Sequence, residues 1–175
     1  DEEIFVSTWN GKQFDLPRPI EELNQENNEG TPTLSKDGLH LIFSGCDYPN
    51  SFGGCDLYEC TWVDGSWTRP KNLGYWVNSH DWEGQPQLNS DGSKLFFSSD
   101  RPGGEGKRDI WLTERSADGK WGIPKNLGKQ INSSEDEQGP YYMDERAILV
   151  FSTNQKGGKG GLDFHKSLWD GKIWS

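Results

Sequence analysis

Apolar and polar positions recur along this chain at an interval of 54 residues. The interval is clearest in three apolar triads, at residues 41–43, 95–97 and 149–151, and in the asparagines Asn24, Asn78 and Asn132. Agreement of so many positions on one interval is typical of an internal repeat. We therefore expect the chain to consist of copies of one small structural unit.

The pattern within one repeat predicts four short strands joined by turns. The first strand covers residues 31–35 or 85–89, the second is the apolar triad, and the third follows a glycine-rich loop, as at residues 109–113. The fourth is predicted at the aromatic residues Phe14, Trp67, Trp121 and Trp174. Asp-Gly or Asn-Gly pairs stand at the tight turns, at residues 10–11, 37–38, 64–65, 91–92, 118–119 and 170–171. Such pairs supply the positive φ angles of hairpins, so each repeat should form an up-and-down antiparallel sheet.

The second and third strands are apolar at successive positions, which indicates that both faces of each sheet are buried. Four-stranded sheets stacked on one another predict an all-β chain, a β-propeller of four-stranded antiparallel blades with about 3.25 repeats. The predicted units are a half blade at 1–27, two blades at 28–81 and 82–135, and an incomplete blade at 136–175. Closed propellers need at least about four blades. The chain is thus expected to be part of a longer propeller or to close with another chain.

Composition supports a folded chain and excludes some partners. With 9 Trp, 8 Phe and 5 Tyr beside 22 Gly, the chain has the aromatic content for a core. A net charge of −10 argues against nucleic acid as a partner. No apolar run approaches the ~20 residues that would span a bilayer. No glycine-rich phosphate motif before a helix and no histidine-cysteine metal spacing is present, so neither a cofactor nor a metal is expected.

Four segments of the third unit resemble the TolB-type, WD-like propeller repeats. They read EGQPQLNSDG at 83–92, LFFSSDRPGG at 95–104, DIW at 109–111 and WGIPKNLG at 121–128. The likeness is greatest to versions in outer-membrane-associated OmpA-family proteins of the Bacteroidota, which include PorE-like proteins of the type IX secretion system. It implies a periplasmic location, associated with the outer membrane, and protein partners in the cell envelope. It also implies that further blades or flanking domains belong to a longer chain.

The three cysteines are Cys46, Cys55 and Cys60. Cys46 ends the second strand and Cys55 begins the third, so they face each other across a hairpin loop, and a disulfide between them would imply an oxidising compartment. Two reduced thiols are the alternative. In the next unit Asp100 and Arg108 take these positions, and we expect them to form an ion pair. Cys60 is expected to be a buried small residue.

The candidate binding residues are acidic and aromatic. Glu29, Glu83 and Glu137 precede the first strand of successive units, nearest the expected central channel. They either accept hydrogen bonds from neighbouring loops or form an acidic ring for a cation or a basic peptide. Asp56, Asp109 and Asp163 are expected to cap loop backbone. Trp76 and Trp82 lie in the linker between blades and either pack there or contact a sugar or a protein.

No catalytic constellation is visible in the sequence, so no catalytic residue is assigned and the chain is not expected to be an enzyme. We expect a scaffold that binds another protein through loops that vary between units. Two alternatives remain. One is a carbohydrate-binding or carbohydrate-active propeller, a lyase or glycosidase, with its site in other blades. The other is a propeller that controls access to a peptidase domain outside this segment.

Overall fold

The computed structural model describes residues 2–175, and their strands form four antiparallel sheets. Sheet I contains β1 (Phe5–Val6) and β2 (Arg18–Pro19). Sheet II contains β3 (Asn28–Leu34), β4 (His40–Cys46), β5 (Cys55–Val63), β6 (Ser66–Trp67) and β7 (Lys71–Asn72). Sheet III contains β8 (Glu83–Leu88), β9 (Lys94–Ser99), β10 (Asp109–Glu114) and β11 (Lys125–Asn126). Sheet IV contains β12 (Glu137–Met143), β13 (Ile148–Thr153) and β14 (Asp163–Leu168), with one 3₁₀ turn at Asp144–Arg146.

Each sheet is an up-and-down meander, as the turn residues predict. In sheet III neighbouring strands follow the chain order β8, β9, β10, β11. The first three strands of sheet II (β3, β4, β5) and the three of sheet IV (β12, β13, β14) are also arranged in chain order. The glycine of each Asp-Gly or Asn-Gly pair has a positive φ, for example 75° at Gly38 and 71° at Gly92. An L side chain rarely adopts that backbone conformation, which explains why glycine recurs at these turns.

The core lies between the sheets, in three clusters. Ile4 and Leu23 of the first unit pack against Phe43 of sheet II, while Ile42 of the same strand packs with Leu95 of sheet III. The third cluster joins sheets III and IV through the side chains of Phe96, Ile110, Leu149, Phe151 and Trp174. Successive residues of β4 therefore face opposite neighbours. This confirms that both faces of the central strands are buried in sheets II and III, whereas sheet IV differs from the prediction, since its strand β14 leaves Phe164 85% exposed.

The fourth strand differs from the sequence prediction because proline interrupts it. The aromatics make only short pairs with the end of the preceding strand, such as Trp62 with Trp67 and Trp169 with Trp174. After a break at Pro70 or Pro124, two further residues pair with the third strand and form its outer edge. Proline lacks the N–H that a continuous ladder requires.

Each first strand contains a bulge that the repeat of Pro32, Pro86 and Pro140 did not reveal. The pairing register shifts between Gly30 and Thr33, and the other two first strands shift at the same place. The residue before each proline has a positive φ: 49° at Thr31, 54° at Gln85 and 60° at Gly139. For threonine and glutamine this backbone conformation is strained. Because the bulge nevertheless occurs in all three first strands, it is a regular part of the repeated unit.

The cysteine pairing is confirmed, whereas its expected counterpart in the next unit is wrong. Cys46 and Cys55 form a disulfide, and Cys60 is a buried free thiol. Asp100 and Arg108 form no ion pair: Asp100 accepts a hydrogen bond from the Trp82 N–H, and the Arg108 guanidinium lies 4.1 Å from the centre of the Trp82 ring. Trp82, at the end of the connector that leads into sheet III, thus interacts with both residues in place of an ion pair.

Candidate functional site

One end of the sheets, called the connector face here, is built from two kinds of loop. The hairpin loops at 47–54, 100–108 and 154–162 lie there with the connectors at 20–27, 73–82 and 127–136 that lead to the next sheet. The Gly54 N–H donates to Asp81 O at 3.2 Å, and the Lys107 N–H donates to Glu135 O at 3.0 Å. A Cβ on Gly53 would stand 1.8 Å from Asp81 O, so only glycine permits this approach.

Each hairpin loop is closed by an aspartate in the first two residues of the third strand, as expected from the sequence. Asp56 accepts hydrogen bonds from the N–H groups of Phe52 and Gly53 at 2.9 and 3.1 Å. Asp109 does the same for residues 105 and 106, and Asp163 for residues 159 and 160. These recurring carboxylates hold backbone, so they belong to the frame of the face.

The repeated asparagines are also part of the frame. The Asn78 side chain accepts from the Leu57 N–H at 2.8 Å and donates to the Leu57 carbonyl at 3.1 Å, and Asn132 makes the same pair with Ile110. Such a pair replaces one rung of a backbone ladder and satisfies buried polar groups. The connector is thereby fixed to the third strand of the preceding sheet.

Glu29, Glu83 and Glu137 lie at the beginning of the first strands, each at most 1% exposed. Glu83 accepts from the Ser79 N–H at 2.7 Å and from the hydroxyls of Ser79 and Ser99 at 2.6 and 2.8 Å. Glu137 has the same set of partners, from Ser133 and Thr153. This geometry matches the hydrogen-bonding role considered from the sequence. In this arrangement a cation or peptide in solvent has no access to the carboxylates.

The three glutamates differ in their counter-charges. Glu83 has Arg101, whose guanidinium lies 3.1 Å away and also donates to the Val77 carbonyl. Glu29 accepts from the Tyr48 hydroxyl at 2.6 Å, and its second oxygen has no hydrogen-bond partner among residues 2–175. Burial, together with the Glu29 charge, raises the pKa of Tyr48, so its hydroxyl stays a donor throughout the neutral range.

The two candidate tryptophans have different surroundings. The Trp82 ring lies over Gly84, where a Cβ would come within 2.3 Å of it, and Arg108 covers the ring. Trp76 is 54% exposed and its neighbour Tyr75 is 63% exposed, with ring centroids 4.6 Å apart. Trp82 is therefore engaged within the fold, whereas Trp76 and Tyr75 present their rings to solvent.

An exposed aromatic patch thus lies on the connector face between sheets II and III. We define it as Phe52, Tyr75 and Trp76, with a cleft of about 370 Å³ beside it that Phe52, Tyr75, His80, Asp81 and Pro102 help to line. At the positions of Tyr75 and Trp76, the other connectors have Glu21-Glu22 and Lys129-Gln130. The frame does not need aromatics there, so the patch is specific to this junction.

The remaining exposed tryptophans are explained by local ring pairs. Trp9 lies 5.1 Å from Phe14, and Trp62 lies 5.2 Å from Trp67, each across its short turn.

Within residues 2–175 there is no group of three or more His, Cys, Asp or Glu that could hold a metal ion. Across the same residues, no helix is long and apolar enough to cross a membrane.

Of the residues in the patch, only Trp76 was predicted from the sequence as a candidate binding residue. Tyr75 and Phe52 stand in segments that vary between units, and only the fold shows that they lie on one face. The signal that could have found them is the mismatch itself. A large apolar residue at a position where the other repeats are charged indicates a role other than the core.

The chain matches no protein-family model and no curated protein sequence. It is similar in structure to TolB from Acinetobacter baumannii, with a TM-score of 0.62 and 12% identity over 97% of this chain and 36% of that protein. It is also similar to the TolB candidate from Agrobacterium tumefaciens, with a TM-score of 0.60 and 18% identity over 91% of this chain and 51% of that one. A third match is a puromycin-hydrolysing peptidase of Mycobacterium tuberculosis, with a TM-score of 0.59 and 14% identity over 98% of this chain and 30% of the peptidase.

These matches show the fold. The chain has part of a β-propeller, as the repeat predicted, and its fold is of the TolB type, as the sequence resemblance implied; it spans about half or less of each of these proteins. Because a TolB and a peptidase share the fold, the fold by itself assigns no activity.

Proposed function

We propose that this chain is a non-catalytic, protein-binding part of a β-propeller, and that its partner binds the aromatic patch on the connector face. The observation that carries the proposal is the exposed Tyr75–Trp76 pair at positions where the other connectors have charged or polar residues. Exposed Trp and Tyr are enriched among the residues that dominate protein interfaces. A repetitive frame with one divergent surface is the usual arrangement of a propeller that binds a partner.

The partner segment that suits this patch carries a basic side chain beside an apolar one. Among residues 2–175, Asp81 is the one acidic side chain lining the cleft, and neither lysine nor arginine lines it. The faces of the Tyr75 and Trp76 rings attract a cation, and the net charge of −10 adds to that attraction. The apolar neighbour would occupy the cleft between Phe52 and Pro102.

The cellular setting is proposed from two observations. The disulfide between Cys46 and Cys55 is typical of an oxidising compartment such as the periplasm. The sequence resemblance adds an association with the outer membrane, in a PorE-like protein of the Bacteroidota with a link to type IX secretion or to peptidoglycan. The whole protein would supply further blades or flanking domains.

Site-specific crosslinking tests the binding surface. A photoreactive residue at position 76 of the full parent protein should crosslink to one envelope protein in cells, and the same residue at Leu16, which is 91% exposed, should not. The crosslinked partner is then purified for affinity measurements. Equal crosslinking from both positions would contradict the proposed surface.

The matched variant is Tyr75→Lys with Trp76→Gln, which copies the residues of the next connector and so should keep the fold. It should weaken binding to the purified partner at least about tenfold, the effect expected for loss of a central aromatic. Leu16→Gln should change the affinity less than about twofold. Turnover of a polysaccharide or a peptide by the purified chain would contradict the non-catalytic assignment without affecting the test of the patch.

A further inference from the structure

A cleft of about 310 Å³ lies between sheets III and IV, on the outer side of their shared core. Its apolar wall is formed by Phe96, Leu112, Leu127, Tyr142, Trp169 and Trp174. Four of the rings contact one another: Phe96 and Tyr142 have centroids 4.9 Å apart, Tyr142 and Trp174 6.0 Å, and Trp169 and Trp174 5.1 Å. The rings support each other, so the wall is formed before any ligand binds.

Lysines dominate the charged lining of this cleft. Lys94, Lys125 and Lys172 line it together with one carboxylate, Glu114. Lys94 lies 3.8 Å from Glu114, whereas within residues 2–175 neither Lys125 nor Lys172 has a carboxylate within 4 Å. The cleft is therefore locally positive in a chain whose net charge is −10. That contrast points to an anionic ligand.

The equivalent place between sheets II and III is filled. Arg115, which corresponds to Trp169, donates to Glu59 and lies 4.3 Å from the Trp121 ring centre. Glu59 also contacts the His40 ring nitrogen at 3.1 Å. Between sheets III and IV, Leu112 replaces Glu59 and Trp169 replaces Arg115. The polar bridge is absent there, and the cleft takes its place.

The corresponding cleft between the first unit and sheet II has a different charge. It measures about 560 Å³, and its charged lining is Arg18, Glu22 and Asp37. Two carboxylates against one arginine give no preference for an anion. The combination of an aromatic wall with unpaired lysines is specific to the junction of sheets III and IV.

We propose that this cleft binds a small carboxylate that carries an apolar ring. The ring would pack against Trp169 and Trp174, and the carboxylate would meet Lys125 and Lys172. A volume of about 310 Å³ is at the lower limit of ligand pockets, which suits one or two fused rings. The cleft and the aromatic patch share no lining residue, so this site is independent of the proposed protein partner.

Calorimetric titration with 2-naphthoate at low salt tests the site, with neutral 2-naphthylmethanol as the matched probe. The carboxylate should bind with a dissociation constant below about 1 mM, and the alcohol at least about tenfold more weakly. Equal affinities, or no binding of 2-naphthoate up to about 10 mM, would overturn the proposal.

Two variants locate the binding. Lys125→Gln with Lys172→Gln changes only exposed side chains and should lower the naphthoate affinity to that of the alcohol. Leu112→Glu with Trp169→Arg rebuilds the bridge of the preceding junction and should abolish binding of both probes. If the second variant does not fold by circular dichroism, the lysine variant decides alone. An unchanged naphthoate affinity in the lysine variant would show that the probe binds elsewhere.

Discussion

Sheets II and III are built from equivalent parts of the repeat, yet they differ in residue type at three equivalent positions. Sheet III has arginines at 101, 108 and 115, where sheet II has Asp47, Cys55 and Trp62. Arg101 neutralises Glu83, Arg108 covers Trp82, and Arg115 bonds to Glu59. In sheet II the Tyr48 hydroxyl bonds to the buried Glu29 in place of an arginine. Cys55 forms the disulfide, and Trp62 pairs with Trp67.

The comparison separates what the repeat requires from what each sheet adds. The aspartate that closes the hairpin loop and the asparagine that fixes the connector occur in both sheets with the same partners. The arginines, the disulfide and the exposed aromatics do not recur. The shape therefore rests on the repeated hydrogen bonds and core, and the nonrepeated residues determine stability and binding at each junction.

The largest expected effect comes from Arg101→Met, because it leaves Glu83 buried without its cation. Loss of one partner of a buried ion pair costs about 3–5 kcal/mol in the free energy of unfolding. Urea denaturation followed by circular dichroism measures it. Gln155→Met is the control at the same position of sheet IV, where Glu137 forms no ion pair within the described residues 2–175, and should cost less than about 1 kcal/mol. Equal losses would mean that Arg101 does not stabilise Glu83.

Replacing the disulfide should have the next largest effect. Cys46→Ala with Cys55→Ala should lower the free energy of unfolding by about 2–3 kcal/mol, because the unfolded chain regains the freedom of a short loop. The far-ultraviolet circular dichroism spectrum should not change, since Asp56 still closes the loop. Reducing agent should destabilise the wild type by the same amount and leave the variant unaffected. A variant that remains sensitive to reductant would refute this explanation.

Arg115→Met should cost less than Arg101→Met, because Glu59 is 20% exposed and keeps its contact with His40. We expect a loss of about 1–2 kcal/mol. The double variant Glu59→Leu with Arg115→Trp copies the junction of sheets III and IV, so it removes both charges and should lose less than the single variant. Denaturant titration of both proteins decides, and a larger loss in the double variant would contradict this ranking.

The smallest effect is a dependence on alkaline pH that belongs to sheet II. Burial, aided by the Glu59 charge, raises the pKa of the Cys60 thiol from about 9 to about 12, and burial also raises the pKa of Tyr58. Both groups favour the folded state in their neutral form, so their contribution is complete below pH 9 and declines as the pH rises toward 12. Sheet III has Thr113 and Trp111 at these positions and lacks this dependence.

Cys60→Thr tests this assignment, since it copies sheet III. Its free energy of unfolding should fall less steeply between pH 9 and 10 than that of the wild type, by on the order of 1 kcal/mol. Parallel slopes would show that the Cys60 thiol is not the group that titrates.

The features that sequence could predict are those that repeat. The interval of 54 residues placed the turns, the buried triads and the capping aspartates, because each depends on contacts made the same way in every unit. The disulfide was predicted because both cysteines flank a single hairpin. Local pairing and periodic burial are the two kinds of information that a single sequence displays directly.

Contacts that do not recur from unit to unit were the ones that the sequence did not show. The pair of Arg101 with Glu83 depends on how β8 lies beside β9 within sheet III, and the pair of Arg115 with Glu59 depends on how sheet III faces sheet II. The expected pairing of Asp100 with Arg108 was wrong because it rested on the hairpin loop alone. Trp82, from the connector, binds Asp100 through its N–H and Arg108 through its ring. The bulge before each proline was not predicted either, because residues before proline normally adopt extended backbone and not the positive φ found there.

The loop closure by Asp56, Asp109 and Asp163 has a consequence for how such a surface can diversify. Each carboxylate binds backbone N–H groups, so the loop keeps its conformation when its exposed side chains change; Tyr48, which bonds to Glu29, and the glycines that touch the connector or the aspartate are the exceptions. Mutation can then explore new side chains at exposed positions such as Phe52, Glu105 and Lys159 with little risk to folding. The chain is in this sense a ready framework for loop libraries, in which recognition can be selected while the underlying sheets stay unaltered.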